Sequence, residues 1–197
     1  MASEIDFTKK QSVESFQHIV TEKSVMFWRP PSFGNWTICP FEMHNHKFNC
    51  AEQAMMWCKA QLFGDEEIAK VILATLDPKE HKDLRRKVQG FVQSIWDEKC
   101  LGIMTDVLMH KFSQNQDYAV ELLKTGSKVL VECSPMDKIW GIGMNAKQFI
   151  KIGEDVTKYK GTNLLGHALM AARESLRSKV LEESDCSTII TFKTQDQ

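Results

Sequence analysis

The chain has little of several things, and each scarcity removes a class of protein. Ten Gly and five Pro in 197 residues are too few for a collagen-like or linker-dominated chain. No apolar run reaches the roughly 18 residues of a membrane helix, and no secretory signal is legible at the start. The formal net charge is −1, so there is no general pull toward nucleic acid or anionic lipid, and binding to either needs a local patch. Cys39, Cys50, Cys58, Cys100, Cys133 and Cys186 make no CxxC pair, and most fall in apolar periodic segments where Cys acts as a small hydrophobe. The six histidines show no HExxH or similar spacing. His44 and His46 alternate in an expected loop and read as surface histidines. The expectation is a protein without metal or cofactor in a reducing compartment, cytoplasmic or, in a eukaryotic host, nuclear.

What remains is enough for one domain that buries about two-thirds of its unfolded surface. Its organising stretch is Ser134-Pro135-Met136-Asp137-Lys138-Ile139-Trp140-Gly141-Ile142-Gly143. The preceding Lys128–Cys133 is rich in β-branched residues and reads as a buried strand, which Pro135 would end. Gly141 and Gly143 allow a sharp turn or a close backbone approach to a ligand. Asp137 and Trp140, three apart, could present a carboxylate and a flat ring to one cleft. A strand-ending loop with a half-buried Trp is the plainer account.

Helices dominate elsewhere. Residues 1–24 read as a frayed arm or one short helix around Val13–Val20, and Val25–Trp28 as a short strand. In Ser32-Phe33-Gly34-Asn35-Trp36 the aromatics either cap the core or, as Phe33 or Trp36, stack on a ligand that Asn35 hydrogen-bonds. Phe48–Leu62 reads as a helix capped by Asn49, with Ala51, Ala54, Met55, Cys58 and Leu62 inward. Glu52, Met56 and Lys59 form a strip beside that face. A second helix covers Asp65–Leu76 with Ile68, Val71 and Ile72 inward. A third starts at Asp77-Pro78 and carries Lys79, Lys82, Arg85, Arg86 and Lys87, either a phosphate site or a solvated face. Trp96–Phe112 is the longest amphipathic stretch, with Leu101, Met104, Val107, Leu108 and Phe112 inward. Gln116–Lys124 follows, closed by Gly126. The last helix begins near Thr162-Asn163, where Gly161 and Gly166 allow close packing or turn the helix N-terminus toward an anion. Residues 181–197 read as a polar tail, which leaves a domain over 25–180.

Several stretches carry a resemblance when taken together in order. They are Phe33-Gly34-Asn35-Trp36, Asn49-Cys50-Ala51-Glu52-Gln53 on to Lys59-Ala60, Ile72-Leu73-Ala74 with Asp77-Pro78, Trp96, Lys111–Asn115, Leu122–Gly126, Leu130-Val131-Glu132 into Ser134–Gly143, Gly161–Gly166, and Leu169-Met170 with Arg173. Over roughly residues 26–178 the chain resembles the NADAR (YbiA-like) family, named for association with NAD and ADP-ribose. The resemblance implies a compact, single, mostly helical α+β domain with a few short strands. It implies cleavage of N-glycosidic bonds: removal of ADP-ribose from guanine in DNA or RNA, or hydrolysis of ribosylamino nucleotides of the riboflavin pathway. It points to Glu52 and Asp137 as the acids and to Trp96 and Trp140 as site aromatics. The pattern departs at Gly34, where the family commonly has Ser, at Gln53-Ala54 in place of an aromatic pair, and at Tyr159 in place of Trp. It also lacks a usual Arg near Lys99-Cys100.

The chemistry is consistent with those residue types. Breaking a ribose–nitrogen bond passes through an oxocarbenium-like state, which a carboxylate stabilises while orienting or deprotonating water. Glu52 is expected in that role, with Asp137 supporting it or contacting the base. Trp36, Trp96 and Trp140, or Phe33, would stack on the substrate, Gly141 would let backbone approach it, and Asn35, Lys59 and Asn163 would orient it. The rival expectation is a non-catalytic module that reads NAD, ADP-ribose or an ADP-ribosylated partner. No membrane partner is expected, and oligomeric state is left open.

Overall fold

The computed structural model describes residues 18–28, 32–77, 80, 84 and 87–193, with side chains as far as residue 180. The chain enters through β1 (Ile19–Val20) and β2 (Ser24–Phe27), antiparallel neighbours joined by a turn in which the Thr21 hydroxyl accepts the Ser24 N–H at 3.0 Å. Ile19 and Val20, expected in a frayed arm or a short helix, are strand, paired with β2. The rest of that expectation lies outside the described residues.

Every residue of β2 is buried, as a strand covered on both faces requires. It pairs in parallel with β5 (Val129–Glu132) in the register Val25↔Leu130, Met26↔Val131, Phe27↔Glu132. Alternation sends Val25, Phe27 and Leu130 to the main core and Met26 and Val131 to a smaller one with Cys133, Ile142, Met144 and Phe149. Glu132 thus shares its face with Phe27 and Leu130. A second small sheet is the hairpin β3 (Phe41–Met43) and β4 (His46–Phe48), turned by His44 and Asn45 at positive φ (50° and 63°).

Six helices follow in the described residues: α1 (Ala51–Leu62), α2 (Glu66–Ala74), α3 (Gln93–Gln114), α4 (Gln116–Lys124), α5 (Ala146–Lys151) and α6 (Leu164–Lys193). The main core lies where α1, α3 and α6 meet β2 and β5, while α5 covers the opposite face of the sheet. The mostly helical α+β expectation holds, and α4 starts and ends at the expected residues.

Four local expectations are corrected. Helix α1 starts at Ala51, not Phe48, because residues 46–48 pair with β3, and Cys50 rather than Asn49 occupies the cap position. Asn49 instead donates its side-chain amide to the Leu76 carbonyl at 2.6 Å. Leu101 and Val71 face outward, 38% and 45% exposed; Cys100 and Lys111 take inward positions on α3. The backbone of α6 runs helically to Lys193 through residues expected as tail. Most of the basic stretch expected as a third helix lies outside the described residues.

Candidate active site

An open cleft of about 1160 Å³ lies between α1, the 34–37 turn, the start of α3, and the loop after β5. Helix α1 contributes Glu52, Met55, Met56 and Lys59 to its wall; Trp96 and Asp97 come from α3 and Asn35 and Trp36 from the turn. The loop after β5 supplies Ser134, Asp137 and Trp140, and the last residue of β5 supplies Glu132.

The 34–37 turn is held from beneath by a buried amine. Lys111 is 0% exposed, and its Nζ donates to the carbonyls of Ser32 (2.8 Å) and Gly34 (3.1 Å). Burial pushes this ammonium down to about 8, against the pull of Cys39, Cys50 and Glu121. The turn is also tied to α1, since the Glu52 N–H donates to the Asn35 carbonyl at 2.9 Å. That leaves the Asn35 side chain in the cleft wall with an enclosed Oδ1 that accepts no hydrogen bond from the described residues.

The loop after β5 is braced by its own acid and by the start of α6. Asp137 Oδ1 accepts the N–H groups of Ile139 (2.8 Å) and Trp140 (2.9 Å), an Asx turn that points Trp140 into the cleft. Leu164 and Leu165 donate their N–H groups to the carbonyls of Ile139 and Trp140 at 3.1 Å each. The helix N-terminus is therefore satisfied by the loop rather than turned toward an anion, which corrects one of the two expectations for Gly161 and Gly166. The other expectation, close packing, is the one observed. A Cβ on Gly161 would collide with the Gly141 carbonyl, and one on Gly166 with the Leu130 carbonyl.

Lys59 stands inside the cleft at 8% exposure, with Nζ 3.9 Å from the Phe91 ring centroid and 5.3 Å from that of Trp96. A cation over aromatic faces keeps part of its stabilisation when water leaves. Glu52, in the first turn of α1 and 5% exposed, sits where the helix dipole favours an anion. Glu132 is pushed up to about 8 by burial first, then by Asp137 and Glu52, so three carboxyl groups influence one another here.

Of the residues singled out from sequence, Glu52, Asp137, Asn35, Trp36, Lys59, Trp96 and Trp140 meet in this cleft, and Phe33, Gly141 and Asn163 do not. Phe33 is fully buried, stacked on the His18 ring (centroids 5.2 Å apart) and edge-on to Phe27 at 5.5 Å, so it is core. Gly141 is a packing position, where a Cβ would lie 3.0 Å from the Asp137 and Glu132 carbonyl oxygens. Asn163 is fully buried and bonds the backbone of β5, with Oδ1 accepting the Glu132 N–H (3.0 Å) and Nδ2 donating to the Leu130 carbonyl (2.9 Å).

Sequence reasoning passed over Glu132 and Lys111, although both left a signal. Period-two alternation from Leu130 points Glu132 inward, and the spacing 104, 107, 108, 111 puts a lysine on the apolar stripe of α3. Gln53, a departure from the family pattern, has structural work. Its Nε2 donates to the carbonyls of Ile72 and Thr75 (2.9 Å each), and its Oε1 accepts the Asn49 N–H at 2.8 Å, latching α1 to the end of α2. Tyr159 packs at Phe149, outside the cleft.

Comparison with known proteins places the chain in a family and matches its fold. The NADAR domain family matches residues 26–177. R617 of Acanthamoeba polyphaga mimivirus, named an N-glycosidase, is 48% identical over 124 residues, covering 63% of this chain and 72% of that protein. Protein irg-1 of Caenorhabditis elegans is 38% identical over 149 residues, covering 70% of this chain and 69% of that protein. The NMR structure of the E. coli protein YbiA superposes with a TM-score of 0.67 at 25% identity, over 84% of this chain and 92% of that one. Several further relatives also carry the name N-glycosidase.

Proposed function

The chain belongs to the NADAR family and is a ribosyl N-glycosidase; from that premise we propose that its substrate is guanine bearing ADP-ribose in DNA or RNA. The observation that carries this reading is the meeting of two acids, Glu52 and Asp137, with two tryptophans, Trp96 and Trp140, in one large cleft. Its volume of about 1160 Å³ lies above the roughly 300–1,000 Å³ of ordinary small-molecule pockets. A space of that size suits an ADP-ribosyl nucleotide better than a single ribosylamino phosphate.

In this reading Glu52 faces ribose C1′, stabilising the positive charge that develops there and taking a proton from the attacking water. Asp137 supports it, because one of its oxygens is already committed to the loop. Trp96 and Trp140 hold the base by stacking, and Trp36 does so at the mouth. Lys59 faces the diphosphate, and the unpartnered Asn35 Oδ1 accepts from a hydroxyl or amine of the substrate.

The test is incubation of purified protein with guanine-ADP-ribosylated DNA or RNA and, separately, with riboflavin-pathway ribosylamines, with products followed by mass spectrometry. Free ADP-ribose from the nucleic acid, abolished in a folded Glu52→Gln variant, is the expected result. Ribose 5-phosphate released from the ribosylamines alone moves the substrate to the metabolite. Full hydrolysis by Glu52→Gln overturns the role given to that residue. ADP-ribose bound for hours without turnover revives the reader module.

A further inference from the structure

Four carboxyl groups line the cleft, Glu52, Asp97, Glu132 and Asp137; Glu132 feels Asp137 and Glu52, and the surroundings of these three differ. Glu52 lies in the first turn of α1, where the helix dipole favours its anion. Asp137 has Oδ1 partnered by two backbone N–H groups, those of Ile139 and Trp140. Glu132 has neither support. Its Oε2 is enclosed and accepts no hydrogen bond from the described residues, a costly condition for a carboxylate and a mild one for a carboxylic acid. Burial and the two neighbouring acids disfavour a charge on Glu132, so its site suits the proton.

Its backbone is fixed on both sides. The N–H is held by Asn163 Oδ1 at 3.0 Å, and its carbonyl accepts the N–H groups of Ser134 (2.9 Å) and Ile142 (3.0 Å). A rigidly held neutral carboxyl in the wall of a hydrolytic cleft has the form of a proton donor. We propose that Glu132 is the general acid of the hydrolysis, giving its proton to the base nitrogen as the bond to ribose C1′ breaks. The proposal rests on the N-glycosidase reading of the cleft and is independent of which base departs.

The step balances. The electron pair of the C1′–N bond goes to nitrogen, which takes the Glu132 proton and leaves as a neutral amine, while Glu132 becomes a carboxylate. Water adds to C1′ and gives its proton to Glu52. That proton returns to Glu132 through solvent before the next turnover, and the net reaction consumes one water. The charged groups sharing the cleft with Glu132 are Glu52 and Lys59 from α1, Asp97 from α3, and Asp137 and Lys138 from the loop. The upward push on Glu132 to about 8 keeps it protonated at neutral pH.

The experiment compares wild type with Glu132→Gln, which keeps the shape of a protonated carboxyl and offers an N–H donor in place of its O–H, but has no acidic proton to give. The probes are ADP-ribosyl anilines carrying progressively electron-withdrawing substituents, whose leaving amines need progressively less protonation. The expected result is a kcat loss of about 10²–10⁴-fold on the unsubstituted aniline, shrinking strongly on the nitro-substituted ones. The wild type should also lose kcat/KM above about pH 8, and the variant should lack that limb. Wild-type rates in the variant, or an equal loss across the series, overturn the proposal. So does a Glu132 carboxyl resonance, assigned in ¹³C-glutamate-labelled protein by its absence from the variant, that titrates in the ordinary carboxylate range. A wild type that cleaves the anilines but not ADP-ribosylated guanine retires the nucleic-acid substrate and leaves the Glu132 comparison standing.

Discussion

The Asn163 side chain and the Glu132 backbone form one unit, a 3.0 Å hydrogen bond from the Glu132 N–H to Asn163 Oδ1 that fixes an acid at the cleft wall from a residue outside the cleft. The same amide donates to the Leu130 carbonyl at 2.9 Å, so one fully buried side chain grips β5 at two points. Asn163 does this at φ +51°, a left-handed conformation that Asn tolerates better than most residues.

Asn163→Ala is expected to lower stability by about 2–4 kcal/mol, since both β5 groups are left buried without partners. Asn163→Gly relieves the left-handed backbone and should recover about 1 kcal/mol of that. Chemical denaturation of the two variants separates hydrogen bonding from strain. Both should also lower kcat with little change in KM, because they loosen Glu132 rather than the substrate contacts.

Lys111→Met keeps the length of the side chain but strands the Ser32 and Gly34 carbonyls. The turn carrying Asn35 and Trp36 should shift, raising KM by about tenfold, which corresponds to about 1.4 kcal/mol of substrate binding, while kcat changes less. Steady-state kinetics on the preferred substrate checks the split. An unchanged KM would show that the turn is held in place by its tie to Glu52 alone.

Stability against pH should show two opposed slopes. The Glu132 carboxyl rises on folding from its ordinary 4.5 to about 8, so its contribution is complete below about pH 4.5 and is lost as pH climbs through about 8. The Lys111 ammonium falls from 10.5 to about 8, so its contribution is complete above about pH 10.5 and is lost as pH drops through about 8. Glu132→Gln should flatten the first slope and Lys111→Met the second, each measured as melting temperature across the pH series.

Two glycines should answer the same substitution with opposite signs. A Cβ on Gly161 meets backbone, including the Lys138 carbonyl at 2.8 Å, so Gly161→Ala must displace the loop that carries Asp137 and Trp140. Its activity should fall further than its melting temperature. Gly102, inside α3, has nothing within 4 Å of the corresponding position, so Gly102→Ala should raise stability by about 0.5–1 kcal/mol without touching turnover.

Sequence pattern made the helices legible where one face alone is buried, as in α4, and misled where a helix is buried nearly all round. In α1 even Glu52, Gln53 and Lys59 are inside, so no polar face marks its start, and pairing of residues 46–48 with β3 decided the boundary. The acids and tryptophans of the cleft were visible through the ordered stretches that carry the family resemblance, because a Glu in a first turn and an Asp in a turn are ordinary by themselves. Phe33, Gly141 and Asn163 sit in the same stretches as true cleft residues, and only tertiary packing separates those that face the cleft from those that hold it. Glu132 was legible in principle from alternation along β5, yet its chemistry depends on Glu52 and Asp137, brought close only by folding.

The parallel pairing of β2 with β5 joins residues more than a hundred positions apart, Ser24 against Val129, and the loop beyond β5 is completed only when the start of α6 seals it. Contacts of such long sequence separation close late and slow the overall rate of folding. A ribosome adding about 5–20 residues per second will have released α1, with Glu52 and Lys59, well before the opposite wall exists. The hydrolytic power of this chain is thus withheld from the growing polypeptide until the start of α6 has been made and folded against the loop.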